Sequence, residues 1–553
     1  MAISDADEAL AITGGFGTHE CRAFRAHIFK AHEFICLALA QHYKRIALAD
    51  GHVKANQALR EIHKTLKLGK SFEGLHMTSP DEDVQRFAEH KAKMLKAMFF
   101  RENKAGRYKN GLRKAIKSVE NCQLTFPHPD PLQASQEEIM PALARVFCPD
   151  WWRRGIRTLQ DLYLEEVHIK LGLVNKRSGI YASNHGVKRK LAQWKRNEAV
   201  LAALEAVNEL GEVFNLLDVA TRNVANLANR RSELMTRMAG FEAISRKRGE
   251  QGVFLTLTAP SKYHSHLSAN CKPNPRYNRS TPAEVQAYFN QQWAKIRAKL
   301  KRSQIQPYGF RVVEPHHDGC PHWHMLLFIA PEQVKEALSI FRHYALEIDG
   351  NEPGAQKRRF TVKYIDPNKG TAAGYIAKYI AKNIDGEHVG EDLYGHDAIQ
   401  SAIRIRAWAS TWKIRQFQQI GGPSVTAWRE SRRLAHSEHA EAALDSIDSE
   451  LLKGLIEAAD RGDWETFTEL SGGPTPERAS LPLRALHVVK EGLNKYGQEA
   501  QKLIGLLFEA KSRVITRFHE WTVRPVAEFE TRGAEAEAEA IGGANAPPLE
   551  FCQ

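Results

Sequence analysis

Residues 308–330 read YGFRVVEPHHDGCPHWHMLLFIA, and this stretch decides the fold of the central part of the chain. Its two ends, YGFRVVE and HWHMLLFIA, have the apolar and β-branched character of strands. The segment between them, PHHDGCP, contains an Asp-Gly pair that favours a turn, and its two prolines cannot donate ladder hydrogen bonds. The stretch therefore predicts an antiparallel β-hairpin.

Two histidines on the second strand of this hairpin are candidate metal ligands. His322 and His324 are separated by one residue, so their side chains point to the same face of a strand, whereas Trp323 points to the other face. The seven-residue connection PHHDGCP places Glu314 opposite His322. We therefore predict that His322, His324 and Glu314 bind one metal ion.

The register of the hairpin decides whether Glu314 belongs to this set. A tight two-residue turn at Asp318-Gly319 would shift the pairing by one residue and send Glu314 to the other face of the sheet. In that case His316 or His317 would be the fallback ligand. An isolated His-x-His pattern also occurs as an exposed strand pair, so the interpretation depends on the rest of the chain.

The segments around the hairpin alternate between strand and helix patterns. VFLTLTAP at 253–260 alternates in the manner of a strand. Thr-Pro-Ala-Glu at 281–284 supplies an N-cap, a first-turn proline and a reciprocal glutamate for a helix that runs to about Arg302. Further patterns predict a helix near 331–348, a strand near 359–365 and a helix over 371–384. The mixture indicates an α+β domain with a central antiparallel sheet, which we assign to residues 246–428.

The last of these helices, GYIAKYIAKNI at 374–384, carries two tyrosines. At about 100° per residue, one arc of roughly 100° holds four polar side chains: Tyr375, Lys378, Tyr379 and Lys382. The opposite side is aliphatic and consists of Ala373, Ile376, Ala377, Ile380, Ala381 and Ile384. Because these aliphatic residues already provide a face for burial, we expect the tyrosines to lie on the polar face among the lysines.

Two tyrosines one turn apart, about 6 Å along the helix axis, can present two hydroxyl groups to one site. A free tyrosine, with a pKa of about 10, is a poor nucleophile at neutral pH and benefits from nearby lysines and from a metal that polarises the phosphate. The candidate catalytic residues of this transesterification site are Tyr375, Tyr379, Lys378 and Lys382. Attack on a DNA phosphate would give a 5′-phosphotyrosine and a free 3′-hydroxyl, which conserves bond energy for rejoining.

Three motifs in this order resemble the phage replication gene A proteins, which are rolling-circle initiators of the HUH endonuclease superfamily. FLTLT at 254–258 resembles the first family motif, EPHHDGCPHWH at 314–324 the metal motif, and YIAKYIAK at 375–382 the two-tyrosine motif. The run IRQFQQIGGPSVTAWRE at 414–430 is also similar to this family. The resemblance implies an HUH endonuclease domain whose antiparallel sheet carries the histidines, with the tyrosine helix packed beside it.

The resemblance also implies a function and a cofactor. The implied activity is nicking of single-stranded DNA at a replication origin of a phage or prophage, with the two tyrosines acting in alternation. The implied ion is Mg²⁺ or Mn²⁺. The residues alone leave the ion open, because imidazole suits softer ions whereas a carboxylate and phosphate oxygens suit hard ones.

The flanks of this domain have a different composition. The patterns of residues 1–245 and 429–525 are mostly helical, and we expect these regions to bind origin DNA or a partner protein. From Val526 onward there are six glutamates and one arginine, which predicts an acidic, disordered tail at 526–553. The net charge is +13, so the chain before this tail carries about +18 and attracts a polyanion such as DNA.

Several other classes of site and location are disfavoured. No run approaches the roughly 20 apolar residues of a membrane span, and the N-terminus lacks signal-peptide character, so we expect a protein of the bacterial host cytoplasm without a membrane partner. His264, His266 and Cys271 lack a fourth ligand at a zinc-site spacing. GKS at 69–71 fails as a phosphate-binding loop, because position 64 is lysine and no strand precedes it. A separate host helicase, replicative or accessory, is therefore the expected partner.

Three alternative functions differ in what they require. A transposase or relaxase of the same superfamily shares the paired histidines and the tyrosine attack, but two tyrosines four residues apart favour the replication initiator. A non-catalytic DNA-binding protein needs neither those tyrosines nor the acid and histidines on the hairpin. A zinc hydrolase has no use for the tyrosine helix and should be insensitive to tyrosine substitution.

Overall fold

The computed structural model describes residues 4–69, 71–72, 74–366, 368, 370–387, 390–391, 394–439 and 447–526. The chain divides into two compact units, one formed by residues up to 173 with the segment 493–498, the other by residues 174–492 and those from 499 onward. The predicted boundaries at 245 and 428 stay predictions. The predicted acidic tail lies, apart from Val526, outside the described residues. Among the helices that the structure describes, none is long and apolar enough to cross a membrane.

The first unit is helical, as predicted, and its helices bury a common apolar core. The helices are Asp5–Ile12 (α1), His19–Ala31 (α2), Cys36–Asp50 (α3), His52–Leu66 (α4), Asp81–Lys104 (α5), Tyr108–Asn121 (α6), Gln136–Val146 (α7) and Pro149–Leu171 (α8). Trp152 on α8 is fully buried and donates its indole N–H to the carbonyl oxygen of Val146 at 2.8 Å. This contact joins α8 to the end of α7.

In the part of it that the structure describes, the second unit combines helices with three sheets. Its helices are Asn184–Ala202 (α9), Leu216–Arg222 (α10), Leu227–Lys247 (α11), Pro282–Arg302 (α12), Pro331–Ala345 (α13), Ala355–Arg358 (α14), Ala372–Ile384 (α15), Ala398–Trp412 (α16), Val425–Ala435 (α17), Glu450–Asp460 (α18) and Trp464–Leu470 (α19). Its strands are Leu204–Asn208 (β1), Val213–Asn215 (β2), Gln251–Thr258 (β3), Tyr308–Pro315 (β4), Pro321–Ile329 (β5), Phe360–Tyr364 (β6), Phe417–Ile420 (β7), Leu483–Leu493 (β8), Glu499–Phe508 (β9), Ser512–Ile515 (β10) and Trp521–Pro525 (β11).

A five-stranded antiparallel sheet in the order β6-β3-β5-β4-β7 forms the centre of this unit. The predicted hairpin supplies its two inner strands β4 and β5, which are buried along their whole length. Helix α12 covers one face, where the indole N–H of Trp323 donates to Gln286 at 3.0 Å. The predicted mixed α+β architecture with an antiparallel sheet is confirmed.

The hairpin has the register that brings the candidate ligands together. Glu314 on β4 pairs with His322 on β5, so both side chains lie on the same face. In the connection, the His316 N–H donates to the Cys320 carbonyl oxygen at 2.7 Å, and Gly319 has a φ of 81° that suits glycine. The alternative with a one-residue shift is not adopted.

Two regions with helical patterns contain strands. Strands β1 and β2 interrupt residues 1–245, which were predicted to be mostly helical. The same prediction for residues 429–525 is wrong, because β8, β9, β10 and β11 occupy much of the second half of that region. Leucine, glutamate and lysine in these segments favour helix locally. Strand β11 pairs with β1, far away in the sequence, and such tertiary pairing outweighs local propensity.

Gly309 on β4 fits a position that no side chain can occupy. Its φ is 146°, and a Cβ atom built there would lie 2.0 Å from the carbonyl oxygen of Leu326 on β5. We expect Gly309→Ala to lower the free energy of unfolding by about 3 kcal/mol in urea denaturation, because both the clash and the left-handed backbone must be relieved. Gly15→Ala is the control, since a Cβ atom there meets nothing within 4 Å. Equal stability of both variants would contradict this description of the β4–β5 pairing.

Candidate active site

Three buried side chains converge beside the turn of the β4–β5 hairpin. Nε2 of His324 lies 2.9 Å from Oε1 of Glu314 and 2.8 Å from Nε2 of His322. Nε2 of His322 lies 3.2 Å from the same carboxylate oxygen. Within the part of the chain that the structure describes, these three residues form the one group of histidine, cysteine and acidic side chains arranged to hold a metal ion.

The chemistry of this donor set fits a divalent cation. Burial lowers the pKa of His322 to about 4, with the neighbouring His324 as a further cause. Burial alone would raise the pKa of Glu314, but the Lys382 ammonium and the neighbouring His322 and His324 hold it well below its ordinary value. The glutamate is therefore ionised and His322 uncharged at neutral pH, and metal ligands need these deprotonated forms.

Polar side chains outside the triad hold the candidate ligands in their orientations. Nδ1 of His324 lies 3.0 Å from the hydroxyl oxygen of Thr256, which is its partner across the β3–β5 pairing. With Nδ1–H donating to that hydroxyl, the Nε2 lone pair is directed into the site. On the other side, the Oε2 atom of Glu314 accepts from Asn383 at 3.0 Å and lies 3.2 Å from the Lys382 ammonium. Oε1 is thus the oxygen that faces the histidines.

The tyrosine helix α15 packs directly against this group. The ring of Tyr379 lies 4.4 Å, centre to centre, from the His324 imidazole. Phe254 on β3 contacts Tyr375 at 4.8 Å and Tyr379 at 5.0 Å, and the two tyrosine rings are 6.3 Å apart. Ile376, Ile380 and Ile384 are buried, as predicted. The two tyrosines and the two histidines are therefore brought to one place.

The polar arc of α15 is less exposed than the helical pattern indicates. Tyr375 and Tyr379 are half-buried against the sheet, and Lys382 is only 3% exposed because Glu314 provides its counter-charge. Lys378 is the one exposed side chain of these four. Three of the four side chains on this arc, those of Tyr375, Tyr379 and Lys382, are thus at least partly buried, and Tyr379 and Lys382 contact the candidate metal ligands.

The other metal candidates do not assemble into a ligand group among the described residues. Nδ1 of His264 lies 3.3 Å from a carboxylate oxygen of Asp318, while His266 contacts the hydroxyl of its neighbour Ser265. The ring of His316, the alternative ligand, lies 4.2 Å from that of His322, centre to centre, at a tilt of 31°, but His316 is not part of the triad. These histidines surround the turn without joining the site.

Four residues near the site were missed by sequence reasoning. They are Thr256, Glu242, Lys363 and Asn383. The Lys363 ammonium lies 4.1 Å from the ring centre of Tyr375 and reaches it from β6, where it pairs with Phe254. The alternation in FLTLT identifies the face of Thr256, but the β3–β6 register that brings Lys363 into the site has no local signal.

The fold and the site define a mixed α+β protein with a candidate metal centre beside a two-tyrosine helix. The chain belongs to the bacteriophage replication gene A protein family, whose family model matches residues 82–387. The matched region contains both the triad and α15, and the resemblance of the three sequence motifs is thereby confirmed. No solved structure matched the chain.

Relatives at 33–41% identity cover most of the chain. The replication gene A protein of Escherichia phage 186 is 41% identical over 399 residues, 70% of this chain and 57% of its own length. The replication protein of Haemophilus phage HP1 is 37% identical over 397 residues, which are 70% of this chain and 49% of that protein. The probable replication endonuclease from a prophage-like region of Salmonella paratyphi A is 33% identical over 427 residues, 75% and 53%. The chain spans about half the length of the curated relatives that it matches.

Proposed function

We propose that this chain is a site-specific nickase and strand transferase that starts rolling-circle DNA replication of a phage or prophage, through an HUH endonuclease domain. The observation that carries the proposal is the contact between the Tyr379 ring and the His324 imidazole, 4.4 Å apart. A tyrosine nucleophile and an ion held by His324 would then act on the same phosphate. The relatives named replication gene A protein and replication endonuclease support this reading.

The proposed cofactor is one Mg²⁺ or Mn²⁺ ion held by Glu314, His322 and His324. When bound, the ion would polarise the scissile phosphate and offset negative charge that develops on it. Thr256 keeps the His324 ring oriented, because its hydroxyl lies 3.0 Å from Nδ1. The carboxylate supplies hard oxygen character that a site of imidazoles alone would lack.

In the proposed reaction, a tyrosine hydroxyl attacks a phosphodiester of single-stranded origin DNA. The new bond joins the tyrosine oxygen to the phosphorus, the bond from phosphorus to the 3′-oxygen breaks, and that oxygen takes up a proton as the tyrosine loses one. Burial raises the pKa of Tyr379 to about 12, with Tyr375 and Glu314 as further causes. Cationic groups at the site therefore assist formation of the nucleophile.

The two tyrosines occupy different surroundings within one site. Tyr379 lies against His324, whereas Tyr375 has the Lys363 ammonium 4.1 Å from its ring centre. Exposed Lys378 is available to contact the DNA backbone, while Lys382 acts through Glu314. With ring centres 6.3 Å apart, the second tyrosine can attack DNA that the first one holds. Alternating roles then allow cleavage at the start and at the end of one round.

The partners follow from this activity. The substrate is single-stranded DNA at an origin, and unwinding is assigned to a separate host helicase, in the cytoplasm of a bacterial cell. A transposase or relaxase of the same superfamily remains the second candidate, since it shares the metal and tyrosine chemistry. Two half-buried tyrosines one helical turn apart at the same centre favour the initiator.

Strand transfer is the test of this function. We expect the isolated protein–DNA adduct, given Mn²⁺, to join its DNA to an added oligonucleotide with a free 3′-hydroxyl, because the phosphotyrosine conserves bond energy. The joined product is measured on a denaturing gel with a labelled acceptor. An oligonucleotide with a 3′-deoxy end is the control. Release of a 5′-phosphate end without joining would identify a hydrolase and contradict the proposal.

A further inference from the structure

Both ends of the tyrosine helix are held by buried carboxylates from other elements. At its first turn, Glu242 on α11 accepts from the backbone N–H of Ala372 at 3.0 Å and of Ala373 at 2.8 Å, one through each carboxylate oxygen. Thr371 accepts from the next N–H, that of Gly374, at 2.9 Å. The N–H groups that a helix start leaves without intrahelical partners are therefore paired within the protein.

The last turn of α15 is held by Glu314, which is also a candidate metal ligand. The side-chain amide of Asn383 donates to Oε2 of Glu314 at 3.0 Å, and its oxygen accepts from Gln416 on the segment before β7 at 3.4 Å. Asn383 is 1% exposed and Glu314 is completely buried. Lys382 adds its ammonium 3.2 Å from the same Oε2 atom.

Glu314 is thus shared between two functions. Its Oε1 atom faces His322 and His324, whereas its Oε2 atom binds the tyrosine helix. An ion held by Glu314, His322 and His324 would also restrain the carboxylate to which α15 is attached. A group that orients a ligand in this way commonly changes metal affinity by about 10–100-fold when it is removed.

We propose that Asn383 and Glu242 are positioning residues that align the tyrosine helix with the metal centre, so that metal binding and the order of α15 are coupled. The inference rests on the proposed metal-dependent tyrosine chemistry. Coupling of this kind is reciprocal: the helix raises the affinity for the ion, and the ion stabilises the helix. Glu242 acts at the far end, where it fixes the tyrosines without touching the ligands.

The contact at Glu314 is tested by metal binding in the absence of DNA. Asn383→Leu keeps the size of the side chain but removes its donor, and we expect Mn²⁺ to bind about tenfold more weakly in an electron paramagnetic resonance titration. Mn²⁺ should also slow hydrogen exchange over residues 371–387 in the unmodified chain and not in the variant. Asn383→Ala should give the same shifts and replaces the leucine variant if that one does not fold. Asn290→Leu, at an exposed position of α12, is the control.

The possible outcomes distinguish the coupling between α15 and the metal from the proposed metal centre itself. Unchanged Mn²⁺ affinity and exchange in both Asn383 variants, with normal binding by the unmodified chain, would overturn the coupling and leave the proposed function intact. Failure of the unmodified chain to bind Mn²⁺ would overturn the proposed metal centre and the coupling with it. Weaker binding together with the lost protection of α15 supports the coupling.

The contact at Glu242 is tested by a rate. We expect Glu242→Ala to slow single-turnover adduct formation at least about tenfold even at saturating Mn²⁺, with the DNA affinity unchanged, because the tyrosines are misplaced while the metal site is filled. Glu242→Gln keeps one acceptor oxygen and should recover part of the rate. Arg246→Ala is the matched control, since Arg246 binds the same carboxylate at 2.7 Å from a largely exposed position. An unchanged rate, or a loss explained entirely by weaker Mn²⁺ binding, would contradict a positioning role.

Discussion

Tyr375→Phe combined with Tyr379→Phe is expected to abolish the covalent protein–DNA adduct, a loss of about four orders of magnitude or more in the rate of attachment. Each substitution removes a single hydroxyl group, the atom that would attack phosphorus. The phenylalanine rings can keep the contacts with Phe254 and His324 that hold α15 against the sheet. The helix and the metal ligands should therefore stay in place while the nucleophile is lost.

Binding measurements separate this loss from a loss of structure. Fluorescence anisotropy should give the same affinity for single-stranded DNA in the double variant as in the unmodified chain. Tyr364→Phe is the matched control, since Tyr364 lies on β6 and is 56% exposed. A double variant that still forms the covalent adduct would contradict the tyrosine mechanism. A loss of DNA binding would indicate that the tyrosines take part in recognition.

His324→Ala is expected to have the second largest effect. The substitution removes one of three donor atoms and the ring that contacts Tyr379, and it leaves Glu314 and Thr256 without a shared partner. Losing a direct ligand should weaken Mn²⁺ binding by more than about 100-fold, which exceeds the usual effect of losing a residue that only orients a ligand. Metal-dependent nicking should then fall below detection in a gel assay.

Two controls make this result specific. His343→Ala removes an exposed histidine from α13 and should keep full nicking activity. Circular dichroism and thermal unfolding establish that the His324 variant is folded, because removal of a buried polar side chain also lowers stability. Full activity of folded His324→Ala would mean that His322 and His324 are structural.

Much of the site could be predicted from sequence because its signals are local. His322 and His324 share a face through strand alternation, and Tyr375 and Tyr379 share an arc through helix geometry. The connection PHHDGCP favoured one of two registers, and that register is the one observed. Periodicity over a few residues was enough to identify the elements that carry these side chains.

The remaining features depend on contacts between distant parts of the chain. Lys382 is buried because it forms an ion pair with Glu314. Glu314 lies on β4, so the sequence pattern of α15 alone could not predict this burial. Glu242 lies on α11 with no motif around it, and its function at the start of α15 depends on how two helices pack. For the same reason, β11 was missed. Its partner strand β1 precedes the central domain in the sequence, whereas β11 follows it.

The most direct test of the central claim is adduct formation by the unmodified chain. The purified protein is incubated with Mg²⁺ or Mn²⁺ and single-stranded oligonucleotides tiled across its own gene, and a denaturing gel is examined for protein joined to DNA. We predict a metal-dependent adduct with one tile, lost on adding a chelator, whose phosphate maps to Tyr375 or Tyr379 by mass spectrometry. Tight binding to these oligonucleotides with no adduct on any tile would contradict the account and identify a non-catalytic DNA-binding protein.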